Sequence, residues 1–144
     1  AFQKTIGPPE RLLRTKLRMA EALRKQKKFT DAQTFLADVI KDSPRLLEPK
    51  LERGYLLEDW AKAEPNRWGA ANNYWRALAS QLEPIRSLRI NYYESLYHVA
   101  ISLQGLGRGT EAKQTLKSVM ILSPTVGNPE MKKRYEDLLA GLGQ

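Results

Sequence analysis

Residues 19–44 and 99–124 carry one pattern twice. MAEALRKQKKFTDAQTFLADVIKDSP aligns without a gap on VAISLQGLGRGTEAKQTLKSVMILSP, eighty residues further along. Ala20 falls on Ala100, Leu23 on Leu103, Ala32 on Ala112, Leu36 on Leu116 and Val39 on Val119, and Ser43-Pro44 falls on Ser123-Pro124. Self-similarity at a fixed offset is the signature of a repeat architecture. In such arrays side chains answer to packing between neighbours, and function sits on the surface the stack creates.

Each copy reads as a helical hairpin. Leu13, Leu17, Ala20 and Leu23 recur three or four apart, as one helix face requires. A polar break follows at residues 25–28, and a second helical period runs through Phe29, Ala32, Phe35, Leu36, Val39 and Ile40. Ala20 and Ala32 let two backbones approach closely. Ser-Pro closes the hairpin, because proline cannot continue a helix and restricts the residue before it. Near the end of the chain the same reading gives Leu96, Val99, Ala100 and Leu103, a break at residues 105–109, then Ala112, Leu116, Val119 and Leu122. In the middle, residues 45–63 read as a long first helix with Pro49 in its first turn and Leu47, Leu51, Gly54 and Tyr55 as packing face. Residues 70–82 read as its second helix, closed by Pro84. Extra residues fall at 64–67 and 85–92. After Pro124, Asn128 caps and Pro129 opens a last helix with an apolar stripe of Met131, Tyr135, Leu138, Leu139 and Leu142. Such a helix would cover the open face of the last hairpin, since repeat arrays need capping.

The pattern resembles the tetratricopeptide repeat, a helix–turn–helix unit of about 34 residues. The small residues Ala20, Ala100, Ala32 and Ala112, with Leu36, Leu116, Pro44 and Pro124, carry the resemblance. Two features depart from it. Leu23 and Leu103 stand where the family usually has an aromatic, and Pro44, Pro84 and Pro124 follow one another at 40 residues. The fold expected is all-α: a right-handed superhelix of three hairpins, at 10–44, 45–84 and 85–124, plus a capping helix at 128–142. All of it would be one domain over residues 1–144. The chain opens Ala-Phe without Met, as expected of a piece excised from a larger protein.

The resemblance implies a concave groove lined by first helices. Carried onto this sequence, the groove residues are Arg14, Leu17, Glu21 and Arg24, then Glu94, Tyr97, Ile101 and Gln104 with His98 beside them. Leu17, Tyr97 and Ile101 are apolar where solvent would otherwise be expected. That fits a contact surface, or burial by a neighbouring helix. One subgroup of the family grips C-terminal carboxylates of chaperones with a Lys/Asn/Arg clamp. The corresponding positions here read Leu17, Glu21, Glu94 and His98, so the clamp is absent.

Composition narrows the chemistry. The 144 residues include no cysteine, which removes disulfides, thiol catalysis and thiolate metal sites. His98 is the sole histidine, and with no cysteine beside it a strong transition-metal site is not expected; a catalytic base would need a nucleophile and an orienting acid nearby, and nothing in the spacing proposes them. Asp59 with Glu58 or Glu64 reads as helix surface charge. Residues 105–109, Gly-Leu-Gly-Arg-Gly, look like a phosphate loop, but that loop needs a strand before it. As a helix C-cap and turn they need only glycine's tolerance of positive φ. No catalytic residue, metal ligand or cofactor is assigned. No apolar run reaches 18 residues, so no membrane-spanning helix is expected.

The net charge of +8 is uneven: residues 1–48 hold 11 Lys and Arg against 6 Asp and Glu, residues 49–84 hold 5 and 5, and residues 85–144 hold 8 and 5. The basic run from Arg11 to Lys28 could track phosphates or steer an acidic partner. It lacks the interleaved aromatics of a stacking platform, so a solvated helix face is the preferred reading. Eight of the twelve aromatics lie between Tyr55 and Tyr97. Trp68, Tyr74 and Trp75 either fill the gap opened by the longer connection or line a ligand groove. The function expected is a non-enzymatic protein- or peptide-binding scaffold with a partner that could be acidic. The alternative is a structural spacer stacking on further repeats, with self-association through its exposed end hairpins. Nucleic-acid binding ranks behind both.

Overall fold

The structure, a computed structural model, describes residues 9–142, with side chains from Arg11 onward. Seven α-helices occupy the described residues: α1 Pro9–Lys25, α2 Phe29–Asp42, α3 Leu47–Ala63, α4 Trp68–Leu82, α5 Arg89–Gly105, α6 Gly109–Leu122 and α7 Pro129–Leu142. Single 3-10 turns at Pro65–Arg67 and Arg86–Leu88 take up the extra residues of the two longer connections. No strand occurs among the described residues, and the protein is an all-α helical repeat. The chain gathers into two compact units, residues 1–63 and 64–144. The division falls inside the expected middle hairpin: α3 belongs to the first unit and α4 to the second.

The two copies of the sequence pattern share the two hydrogen bonds that close their turns. After α1, the Lys27 N–H donates to the Arg24 carbonyl and the Lys28 N–H to the Leu23 carbonyl, both at 2.9 Å. After α5, the Gly107 N–H donates to the Gln104 carbonyl at 2.9 Å and the Arg108 N–H to the Leu103 carbonyl at 2.8 Å. The second bond of each pair is the long closure of a Schellman C-cap, which needs a left-handed residue at the turn. Lys27 and Gly107 supply it, with φ of 63° and 77°. At the far end of each hairpin the Ser43 N–H donates to the Val39 carbonyl and the Ser123 N–H to the Val119 carbonyl, and the Ser-Pro stops follow.

In the first unit Ala20, Phe29, Ala32, Leu36, Leu56 and Trp60 form one core, with Leu23 and Phe35 packed against it. The fully buried alanines admit the close backbone approach the sequence called for. α3 contributes Leu56 and Trp60 to this core, where the sequence had pointed to Leu47, Leu51, Gly54 and Tyr55; of those four only Gly54 is buried. The reason is aromatic: the Trp60 indole stacks on Phe29 with centroids 5.6 Å apart and planes 20° from parallel. That geometry adds about 0.5–1.5 kcal/mol to the burial of two large rings.

In the second unit α4 runs antiparallel against α5. Trp68 lies over Gly105, the Asn72 Nδ2 donates to the Ser102 Oγ at 2.9 Å, and the Trp75 ring stacks on His98 at 4.4 Å. Trp68 and Trp75 are buried, so these two indoles are packing residues. Ala100, Leu103, Ala112 and Leu116 are fully buried and repeat in α5 and α6 the core of the first hairpin. α7 is set by the expected cap: the Met131 N–H donates to the Asn128 Oδ1 at 2.8 Å, with Pro129 in the first turn. Its buried Tyr135 donates its hydroxyl to the Tyr93 carbonyl at 2.6 Å and ties α7 to α5.

Candidate functional site

The groove residues expected from the sequence lie on one face of α1 in the first unit and one face of α5 in the second. On α1, Arg14 is exposed, and Leu17, Glu21 and Arg24 are half-buried. Arg24 is already committed. Its Nε meets the Glu52 Oε2 at 2.6 Å and its Nη1 meets the Asp59 Oδ2 at 2.7 Å, both on α3. Burial works against the guanidinium's charge, but the hydrogen bonds to Glu52 and Asp59 outweigh it and hold Arg24 more firmly cationic than usual. The positive charge the sequence offered to a partner is thus largely used to join α1 to α3.

On α5 the equivalent face meets α7. The Arg134 Nη1 reaches the Glu94 Oε1 at 2.6 Å and its Nη2 the Glu94 Oε2 at 3.0 Å, a bidentate pair. The same guanidinium sits 4.4 Å from the Tyr97 ring centroid, and Tyr135 packs at 5.8 Å on Tyr97. Burial pushes the Glu94 carboxyl up, yet the hydrogen bonds from His98 and Arg134 and their charge outweigh it and bring it down to about 2. His98, expected beside the groove, is buried inward of it. Its ring stacks on Trp75 and its Nε2 contacts the Glu94 Oε2 at 2.7 Å. Ile101 is half-buried and Gln104 exposed on the same side of α5. Tyr97 and Ile101 thus stay half-buried with exposed Gln104 beyond them on α5, and Leu17 stays half-buried between Arg14 and Glu21 on α1.

Sequence reasoning passed over Arg134 and Glu52, and read Leu96, on the opposite side of α5, only as a packing residue. Tyr92 and Leu96, four apart, were the available signal: they lie on the far face of the helix from Glu94 and Tyr97 and border an open cleft against α6. No group of three or more His, Cys, Asp and Glu able to hold a metal occurs among the described residues, and no helix among them is long and apolar enough to cross a membrane.

Residues 15–45 match the model of the tetratricopeptide repeat family. No curated protein matches the chain. Repeats of this family generally mediate protein–protein interactions and typically serve as non-enzymatic scaffolds. With its buried small-residue contacts, Schellman turn and Ser-Pro stop, the α1–α2 hairpin of this chain is a tetratricopeptide repeat.

Proposed function

We propose that this chain is a non-enzymatic binding module of a larger protein and that it takes a protein or peptide partner on the first-helix faces of its hairpins. The observation that carries this reading is the strip of Tyr97 and Ile101 on α5, apolar and only half-buried after α7 has packed. Leu17 on α1 repeats the feature between Arg14 and Glu21. Tyr is a favoured anchor because it presents a large rigid area with a polar tip. Since Arg24 is spent on Glu52 and Asp59, exposed Arg14 is the cation left among the expected groove residues of α1 for an acidic residue flanking the partner's apolar anchors.

The test is a photo-crosslinker placed at Ile101, at Leu17 or at Lys28, followed by affinity measurement on the captured partner. Crosslinks at Ile101 or Leu17 are expected, and Tyr97→Ala should weaken binding by about 1–3 kcal/mol. Lys27→Ala and Lys28→Ala, on the hairpin tip, should alter little beyond the association rate at low salt. The opposite ranking would move the site to the basic tip and favour an acidic surface or a nucleic acid.

A further inference from the structure

The cleft on the other side of α5 has its own chemistry. It measures about 580 Å³ and runs between Arg89, Tyr92 and Leu96 of α5 and Thr115, Ser118 and Leu122 of α6. That volume lies within the range of ordinary ligand sites. Leu96 and Val119 are among its apolar lining residues and Tyr92, Ser118 and Ser123 among its polar ones, the Ser123 hydroxyl accepting from the Tyr93 hydroxyl at 2.8 Å. Leu122, at the Arg89 end, is 83% exposed, a large apolar side chain held in water beside an open depression.

Its charges are unequal. Glu111, towards the other end, is already neutralised by Arg108, whose Nε and Nη2 reach its two oxygens at 2.7 and 2.8 Å. Arg89 donates to the Glu83 carbonyl at 2.9 Å and lies 4.9 Å from the Tyr92 ring centroid, and no carboxylate among the described residues pairs with it. A guanidinium carries five N–H groups, so Arg89 keeps donors for an incoming carboxylate. From Arg89 to Leu96 the helix rises about 10 Å, the length of roughly three extended residues.

We propose that this cleft binds a short extended peptide segment of a partner protein, with an acidic side chain on Arg89 and a neighbouring apolar side chain among Tyr92, Leu96 and Leu122. The site is separate from the Tyr97 strip and does not depend on it.

The test is a titration of the ¹⁵N-labelled chain with acetyl-Asp-Leu-Leu-amide and acetyl-Leu-Leu-Asp-amide, against the same peptides with Lys for Asp. One acidic peptide should shift the amides of Tyr92, Leu96, Thr115 and Ser118, leave Leu17 and Glu21 in place, and bind about tenfold tighter than its lysine counterpart. Arg89→Glu should reverse that preference. Ser118→Trp, at an exposed position, should fill the cleft and abolish the shifts with the helices intact. Tyr97→Ala should leave the titration unchanged, so failure here and failure of the first-helix reading are told apart. Absence of shifts at millimolar peptide, equal response to acidic and basic peptides, or shifts that survive Ser118→Trp would overturn the proposal.

Discussion

Lys27 and Gly107 hold the same left-handed backbone conformation at the same step of two hairpins, eighty residues apart in the chain. One is a residue for which that conformation is strained and the other is the residue for which it is free. The two closing hydrogen bonds around them are the same, so the architecture dictates the turn and the local residue only sets its cost.

Exchanging the two residue types should therefore move stability in opposite directions. Lys27→Gly should stabilise by roughly 0.5–1 kcal/mol through relief of strain. Gly107→Ala should destabilise by about 1 kcal/mol from backbone strain alone, because an added Cβ there meets nothing within 4 Å. Thermal melting of the two variants checks both. A Gly107→Ala chain melting with the parent would show that the turn does not hold the left-handed state.

Gly105 poses the complementary case. A Cβ built on it runs into the Trp68 indole, a rigid group with no flexible end to swing aside. Gly105→Ala should cost about 1–3 kcal/mol as an overpacking defect, and Trp68 fluorescence should report the displaced ring. Gly105→Ala paired with Trp68→Leu should recover part of the loss attributed to the collision.

The close helix contacts predict a matched pair of defects. Ala32 and Ala112 are each fully buried at equivalent places. Ala32→Leu and Ala112→Leu should each destabilise by roughly 1–3 kcal/mol. Denaturant midpoints that fall for one variant and not the other would break the equivalence of the two hairpins.

Acid should loosen α7 from α5. The Glu94 carboxyl sits at about 2 against an ordinary value of 4.5, so the unfolded chain binds its proton first as pH falls. Its contribution to stability is complete above pH 4.5 and is lost as pH falls towards 2. Arg134→Met removes one of the partners that hold the carboxyl down. The stability gap between the parent and this variant should narrow across that window, as read from denaturant melts at pH 6, 4 and 2.5. A gap that stays constant with pH would mean that Arg134 supports α7 through its stacking on Tyr97 and not through Glu94.

The sequence by itself determined every helix and most of the turns. Periods of three and four residues, the small residues Ala20, Ala32, Ala100 and Ala112, the Ser-Pro stops and the Asn128 cap are local signals, complete within a few residues of where they act. The tertiary structure decided which side chains are left for a partner. Arg24 is drawn to Glu52 and Asp59, 28 and 35 residues away, and Glu94 to Arg134, 40 residues away. His98 turns in to Trp75, and the space a side chain at residue 105 would need is filled by Trp68. A helical period tells which face of a helix is apolar, but not which helix will meet it or which of its charges that neighbour will neutralise. Those partners are chosen by packing between segments far apart in the chain, and that is where the cleft beside Arg89 and the half-covered strip at Tyr97 arise.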